Sequence, residues 1–406
     1  MAASHDPLRP LFAGPAPEQS AFDSSPDEVE SPAELATHLA TGSLAGLTIQ
    51  GLRLDVDPPD LGPVDLTDTL FVGCHFVSLD VEADLVRRGA HVLPPFDELP
   101  YPTHPARLYT AEDLAAGFAD GGFQQMYDTL VFDHFVRHGG AAPDIREALA
   151  QRLHDAGIDN ALGGALAAWV AERGAAGAVG IMGGHAEPRG SSAYRQAASL
   201  ARRLAAGGRL IVTGGGPGVM EAANLGAYLA GRDEAELGAA IDELATAPNF
   251  ADHEAFTAAA LAVRRNHPAP VADGHDVVTR LTYGGLALPT WLYGHEPANL
   301  FAGQIGKYFS NAVREDSILR LSRGGIVFAP GWAGTVQEVF QAATKTFYAT
   351  EGPSGPFVFL DRGHWARLPV EALLRPLLAA SPHGDLSHLV VVTDSVDEAV
   401  EVLTDG

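Results

Sequence analysis

The chain has 406 residues, 46% of them apolar, enough for two domains or for one large domain with an appended region. Against 26 basic residues stand 51 acidic ones, and the formal charge of −25 repels polyanions, excluding a nucleic-acid-binding surface while leaving room for small phosphates in local cradles. Cys74 is the single cysteine, so neither a disulfide framework nor a Cys-based metal site can form within one chain. No apolar run of about twenty residues and no basic-then-apolar leader is present, so no membrane span is expected and a cytoplasmic location fits.

Residues 1 to about 30, rich in Pro, Ser, Asp and Glu, read as a mobile tail. Ser31 to Leu39 reads as a short helix, with Ser31 as N-cap, Pro32 at the first helical position and Glu34 completing a capping box. Residues 47–54 and 64–76 alternate apolar and polar as short strands do. Their spacing faintly resembles pentapeptide-repeat coils, but too few turns are visible to stack a solenoid, so a small β-rich subdomain is expected. A proline-containing connector over 96–109 leads to helical patterns at 111–118, 123–138, 143–156 and 160–173. His134 and His138 share a helix face, yet no third ligand stands at a suitable spacing, so a structural role is expected rather than a metal site.

From Ala178 the pattern becomes strand and helix in alternation: strands at 178–182, 210–213, 286–292, 326–329, 357–360 and 389–392, with helices at 193–206, 219–230, 300–321, 335–347, 369–378 and from 396. Residues 231–280 read as helical inserts and loops. The fold class is therefore α/β, a parallel-sheet Rossmann-like domain over 171–406, preceded by a mixed β/helical accessory region over 31–170. Only two lysines are present, Lys307 and Lys345, both in segments that read as amphipathic helices, where a solvated or phosphate-facing role is expected. That inventory disfavours Schiff-base chemistry.

Two stretches repeat one plan. Val327 to Glu338 is an apolar strand, a Pro/Gly turn and a helix: Gly331 and Gly334 let the backbone turn and bring its amides to a ligand, and Thr335 sits at the N-cap or in the first turn. The helix dipole and unpaired amides favour a phosphate, with Glu338 about one turn in. Arg209 to Asn224 is a second strand, glycine turn and helix. Two such turns in one parallel sheet lie at the carboxyl ends of its strands, where open α/β folds bind ligands. The turn at Gly214 fails the dinucleotide fingerprint, because Val219 or Glu221 replaces the third glycine, and Phe301 stands where a Walker A motif before Gly306-Lys307 needs its first glycine. A mononucleotide or sugar phosphate suits these turns better.

Gly214-Gly-Gly-Pro-Gly-Val-Met-Glu221 followed by Pro330-Gly-Trp-Ala-Gly-Thr-Val-Gln-Glu338 resembles the paired GGGxxGxM and PGGxGTxxE motifs of the LOG ("lonely guy") family of nucleoside 5′-monophosphate phosphoribohydrolases. Gly183 to Tyr194 is similar to the family's first loop and helix, and Arg314-Glu-Asp-Ser-Ile-Leu319 to its Arg-Lys-x-x-Met segment. The resemblance covers residues 177 to 406. The first 170 residues resemble only loosely the appended regions of larger bacterial nucleotide 5′-monophosphate nucleosidases. The sequence departs from the family's pattern at Trp332, which replaces the second glycine, at Glu315, which replaces a lysine, and at Gln337, which replaces an acidic residue. Tryptophan does not take positive φ cheaply, so either the turn is reshaped or the indole stacks on the base.

The resemblance implies hydrolysis of an N-glycosidic bond, whose transition state builds positive charge on the ribose. Glu338 is then the carboxylate that stabilises it or activates water, and Arg314 holds the phosphate or the leaving base, the alternative for Arg314 being an ion pair with a neighbouring acid. Gly331, Gly334 and Thr335 would bind the 5′-phosphate, while Gly215, Gly216, Gly218 and Met220 line the opposite wall; Gly184, Ser192 and Trp332 complete the expected substrate contacts. Glu221 either bonds ribose hydroxyls or serves its helix dipole, and Ser191 and Ser192 either cap their helix or touch phosphate. No metal or organic cofactor is implied. The expected partners are a nucleoside monophosphate or sugar phosphate and a second copy of the chain, as at least a homodimer. The rival expectation is a catalytically silent nucleotide-sensing module of the same fold.

Overall fold

The computed structural model describes residues 27–173, 177–269, 276–293, 296–350 and 354–404. The tail expected over residues 1 to about 30 therefore lies outside the described residues up to position 26, and from there Glu28–Val29 form a strand. The chain divides into two compact units, one including 27–108 and 133–164, the other including 109–132 and 165–404, with boundaries inside the helices Tyr127–Arg137 and Ile145–Arg173.

The smaller unit contains four strands, β1 (Glu28–Val29), β2 (Thr48–Gln50), β3 (Leu70–Val72) and β4 (His91–Leu93), paired in sequence order and all parallel. Ser31 caps the helix Pro32–Leu39 with the expected box, its side chain accepting from the Glu34 amide while Glu34 accepts from the Ser31 amide. The unit is β-rich, as the alternation predicts, but consecutive parallel strands make it a short stack of coils rather than a hairpin assembly. Paired residues Glu28, Thr48, Leu70 and His91 stand 20, 22 and 21 positions apart. The register aligns Val29, Ile49, Phe71 and Val92 in one ladder, and burying such side chains contributes about 1.5–3 kcal/mol each. Three-residue strands carry too little alternation to reveal β4, or the helix Leu79–Arg87 before it, from sequence.

The helices expected at 143–156 and 160–173 are one, Ile145–Arg173. Gly157 does not break it; a Cβ there would meet Pro105 Cδ at 2.6 Å, so the glycine makes room for the connector to pack. His134 and His138 stack at 3.9 Å between ring centroids, and His134 Nε2 lies 3.2 Å from Glu147 Oε2. Among the described residues no group of His, Cys, Asp or Glu is arranged to hold a metal ion.

The larger unit carries β5 (Ala178–Met182), β6 (Leu210–Thr213), β7 (Leu286–Ala287), β8 (Gln304–Ile305), β9 (Ile326–Phe328), β10 (Phe357–Leu360) and β11 (Val390–Thr393). They form one parallel sheet in the order β11-β10-β9-β5-β6-β7-β8, a Rossmann-like α/β architecture. β5, β6, β9 and β10 are buried at every position, as strands covered by helices on both faces must be. Strand order reverses between β5 and β9, so the switch point of the sheet falls at the ends of those two strands.

Two expectations are corrected here. The single helix read over 300–321 is the strand β8 followed by the helix Asn311–Leu321, because Gly303 threads a backbone crossing where a Cβ would come within 1.7 Å of the Arg280 carbonyl oxygen. Lys307 is therefore not on an amphipathic helix. It is buried, with Nζ 2.7 Å from Asp128 Oδ1, 3.2 Å from the Glu296 carbonyl oxygen and 5.3 Å from the Trp291 ring centroid. Lys345 does lie on a helix, Ala333–Tyr348, and pairs with Asp316 at 2.9 Å.

The helices Ser192–Ala206 and Val219–Tyr228, which carry the first two glycine loops of this unit, cross closely. At Gly226 a Cβ would stand 2.1 Å from the Ala198 carbonyl oxygen. Gly226→Ala is expected to cost about 2–3 kcal/mol, the over-packing penalty, read as a lower midpoint in urea denaturation. A loss below about 0.5 kcal/mol would mean that the helices separate freely.

Candidate functional site

Three strand-to-helix turns meet at the switch point. After β5 comes the loop of Gly183–Ser191, after β6 the turn Gly214–Gly218, and after β9 the turn of Ala329–Trp332. Gly184 joins them: its N–H donates to the Pro330 carbonyl at 2.8 Å, and its own carbonyl accepts from the Val219 N–H at 3.2 Å. Gly218 is glycine of necessity, since φ is 70° and a Cβ would lie 2.4 Å from the Gly184 oxygen. Gly215, with φ of 72°, turns against Pro289.

The turn after β9 works differently from the expected pattern. Neither Gly331 nor Gly334 has positive φ. Gly331 is required for close approach, because a Cβ there would stand 2.2 Å from Thr335 Oγ1, whereas around Gly334 the space is open. The helix begins at Ala333, so Thr335 is its buried third residue and Trp332 its N-cap. Trp332 has φ of −118° and ψ of −138°, so it is outside the left-handed region, and the residue is 68% exposed. The tryptophan is thus held without the left-handed backbone that would favour a glycine at this position. No side chain caps this helix or the one beginning at Val219; the Val219 amide is taken by Gly184, and the remaining first-turn amides at both N-termini are of the kind that attract anions.

Arg314 is buried and reaches the opposite turn: a Cβ on Gly214 would be 2.9 Å from its Nη1 and 2.9 Å from Met220 Sδ. Met220 also lies over Gly216, with Cε 2.7 Å from a Cβ built there. The guanidinium is steadied by Asn311 Oδ1, 3.1 Å from Nε and 2.5 Å from Nη2, and has Glu315 Oε1 3.7 Å from Nη2. Glu315 in turn accepts from Asn311 Nδ2 at 2.7 Å and from Gln337 Nε2 at 2.9 Å. Two of the departures from the family pattern, Glu315 and Gln337, thus contact each other: donor and acceptor have changed places between the two helices.

Glu338 follows Thr335 by three residues and shares its helix face. Burial pushes its carboxyl up to about 7 against the pull of Arg314, with Glu315 and Glu296 adding to the rise. Glu296 is likewise raised by burial, although Thr290 donates its N–H to Oε2 at 2.9 Å. A carboxyl that titrates near neutrality beside a fixed cation is suited to acid–base work.

Beside the turn opens a cleft of about 510 Å³, bordered by Gly184, Ser192, Gly331, Trp332, His364 and Arg367 among others. Residues 177–233 match the model of the SLOG cluster4 family. The match spans β5, the first loop, β6 and the Gly214 turn, and it supports a broad SLOG-type relationship, in the superfamily that includes LOG-like Rossmann proteins, together with a nucleotide-related domain. No curated protein sequence matches the chain.

Within the larger unit several side chains find other partners. Glu221 is buried away from the cleft: Oε2 accepts from Arg189 Nε at 2.8 Å and from the Tyr194 hydroxyl at 3.0 Å, and Oε1 from Arg189 Nη2 at 2.5 Å. Both of its oxygens hold the first loop rather than facing a sugar. Ser191 is the helix cap, accepting from the Tyr194 N–H at 3.2 Å, and both Ser191 and Ser192 border the cleft. Arg314 and Glu338 do not border that cleft; Arg314 lies against the Gly214 turn and is electrostatically coupled to Glu338.

His364 is the residue that sequence reasoning missed. It stands four residues after the end of β10, with Nε2 2.9 Å from the Gly331 oxygen, and its ring meets Trp332 edge-on at 5.6 Å. The only sequence trace is Asp361 three residues earlier, which caps the short helix Arg362–Arg367 through the His364 N–H. Among the described residues no helix is long and apolar enough to cross a membrane.

Proposed function

We propose that the larger unit hydrolyses the N-glycosidic bond of a nucleoside 5′-monophosphate, giving free base and ribose 5-phosphate. The observation that carries this reading is the placement of Glu338 one turn into an uncapped helix at the switch point, with Arg314 braced against the facing glycine turn. The phosphate would take the amides of Gly331, Gly334 and Thr335, and the glycines of the 214–218 turn would close over it. Glu338 in its ionised form would stabilise the oxocarbenium-like ribose and take a proton from the attacking water; Arg314 would hold the leaving base or the phosphate. No metal or organic cofactor enters these steps.

The rival reading is a nucleotide-sensing module in which the pocket survives and the chemistry is lost, as Trp332 would allow; the negative φ of Trp332 favours the hydrolase over it. Chromatographic detection of free base after incubation with AMP, GMP, CMP, UMP and IMP tests the proposal. Nucleotide binding without release from any of the five would replace it by the sensor.

The pH profile follows from the raised carboxyl. Below about 7 Glu338 is protonated and cannot act as a base, so kcat/KM for AMP should rise about tenfold per pH unit up to that point and level off above it. A rate that instead falls on leaving acid conditions would assign Glu338 the role of acid. Folding stability runs the opposite way: the raised carboxyl contributes most below its ordinary value of 4.5, and that contribution is lost as pH rises through about 7.

A further inference from the structure

We propose that His364 is a positioning residue of the site, held by Arg367 in the tautomer that leaves the Gly331 amide available to the ligand's anionic group. The inference rests on reading the turn after β9 as the anion cradle. His364 is buried and enters from a fixed direction: its N–H donates to Asp361 Oδ1 at 2.9 Å, and Asp361 itself has φ of 73° at the end of β10, a conformation that residues with a Cβ adopt rarely.

The imidazole Nε2 lies 2.9 Å from the Gly331 oxygen and 3.3 Å from the Gly331 nitrogen. One ring nitrogen cannot serve both. If Nε2 carries the proton it donates to the carbonyl; if it carries the lone pair it accepts from the amide and consumes it. The other ring nitrogen decides between them. Arg367 Nη2 is 3.4 Å from Nδ1, and a guanidinium has only donors to offer, so Nδ1 presents its lone pair and the ring proton resides on Nε2. The carbonyl of Gly331 is then tied to His364, while its amide hydrogen, aimed at the ring in this structure, finds no lone pair there and is left for the ligand to accept. Trp332, edge-on to the same ring, shares the brace.

The test combines ¹⁵N NMR of histidine-labelled protein with binding of inorganic phosphate and AMP. The signal lost in His364→Gln identifies His364, and in the wild type it should show a protonated Nε2 and a bare Nδ1. A protonated Nδ1 would overturn the inference. Arg367→Met should raise the Nδ1-protonated fraction, and an unchanged tautomer there would also overturn it. His364→Leu is expected to weaken phosphate and AMP about tenfold, raising KM with kcat within about twofold, and His364→Gln, whose amide can still donate to the carbonyl, should restore most of that loss. Equal losses in Leu and Gln variants would reduce the ring to a filler. Should no base be released while phosphate binding and the tautomer are as stated, the hydrolase reading fails and this inference stands.

Discussion

Glu338→Gln should lower base release by about 10³-fold or more while AMP binding changes by less than about threefold. The amide keeps the shape and hydrogen-bonding capacity of the side chain but cannot ionise, so it removes only what a carboxylate does: stabilising the ribosyl cation and accepting a proton, effects of about 10²–10⁴ for a positioned base. Binding should survive because the phosphate contacts proposed above lie a turn earlier, at Gly331 to Thr335. The variant also frees Arg314 and Glu315 from a neighbour with which they are electrostatically coupled. Single-turnover base release with separate measurement of AMP affinity decides the matter, and activity within tenfold of the wild type would move the catalytic role elsewhere, with Glu296 next to be tested.

The second large effect is on stability. Arg189→Met should cost about 3–5 kcal/mol in urea denaturation, because it strands the buried Glu221 carboxylate without its cation. Arg189 also donates from Nη1 to the Phe256 carbonyl at 2.9 Å and lies over the Phe256 ring at 3.2 Å, so its loss unties the loop before Ser191 from two later segments. The double variant Arg189→Met with Glu221→Leu should recover a large part of the loss, since replacing both partners of a buried pair by apolar groups is close to neutral. A single-variant cost below 1 kcal/mol would show the carboxylate to be solvated or protonated in the folded protein.

Much of this architecture is legible from residues that act locally. The capping box at Ser31 and Glu34, the apolar strands of the larger unit and the positive φ of Gly215 and Gly218 follow from chemistry within a few positions. What escapes is set by partners far away in sequence. Lys307 finds Asp128 some 180 positions earlier, and Glu221 finds Arg189 across a strand and a helix, so a rule that keeps lysine in solvent or gives an early helical acid to the dipole has no access to the answer. Gly331 is glycine for the approach of a side chain from the helix that follows it, a reason different from the turn conformation the motif suggests. His364 lies outside both glycine motifs and contributes through one ring nitrogen, which leaves almost no imprint on spacing.

The pairing of β1 to β4, each strand only with its neighbours in sequence, has a consequence for how such proteins vary. A coil of 20 to 22 residues can be inserted or removed without altering any pairing beyond the one it interrupts, since register is kept when the ladder of Val29, Ile49, Phe71 and Val92 gains or loses one rung. Length differences among homologues in this region should come in whole rungs, and an indel of half that size would turn the ladder's apolar side chains out of line.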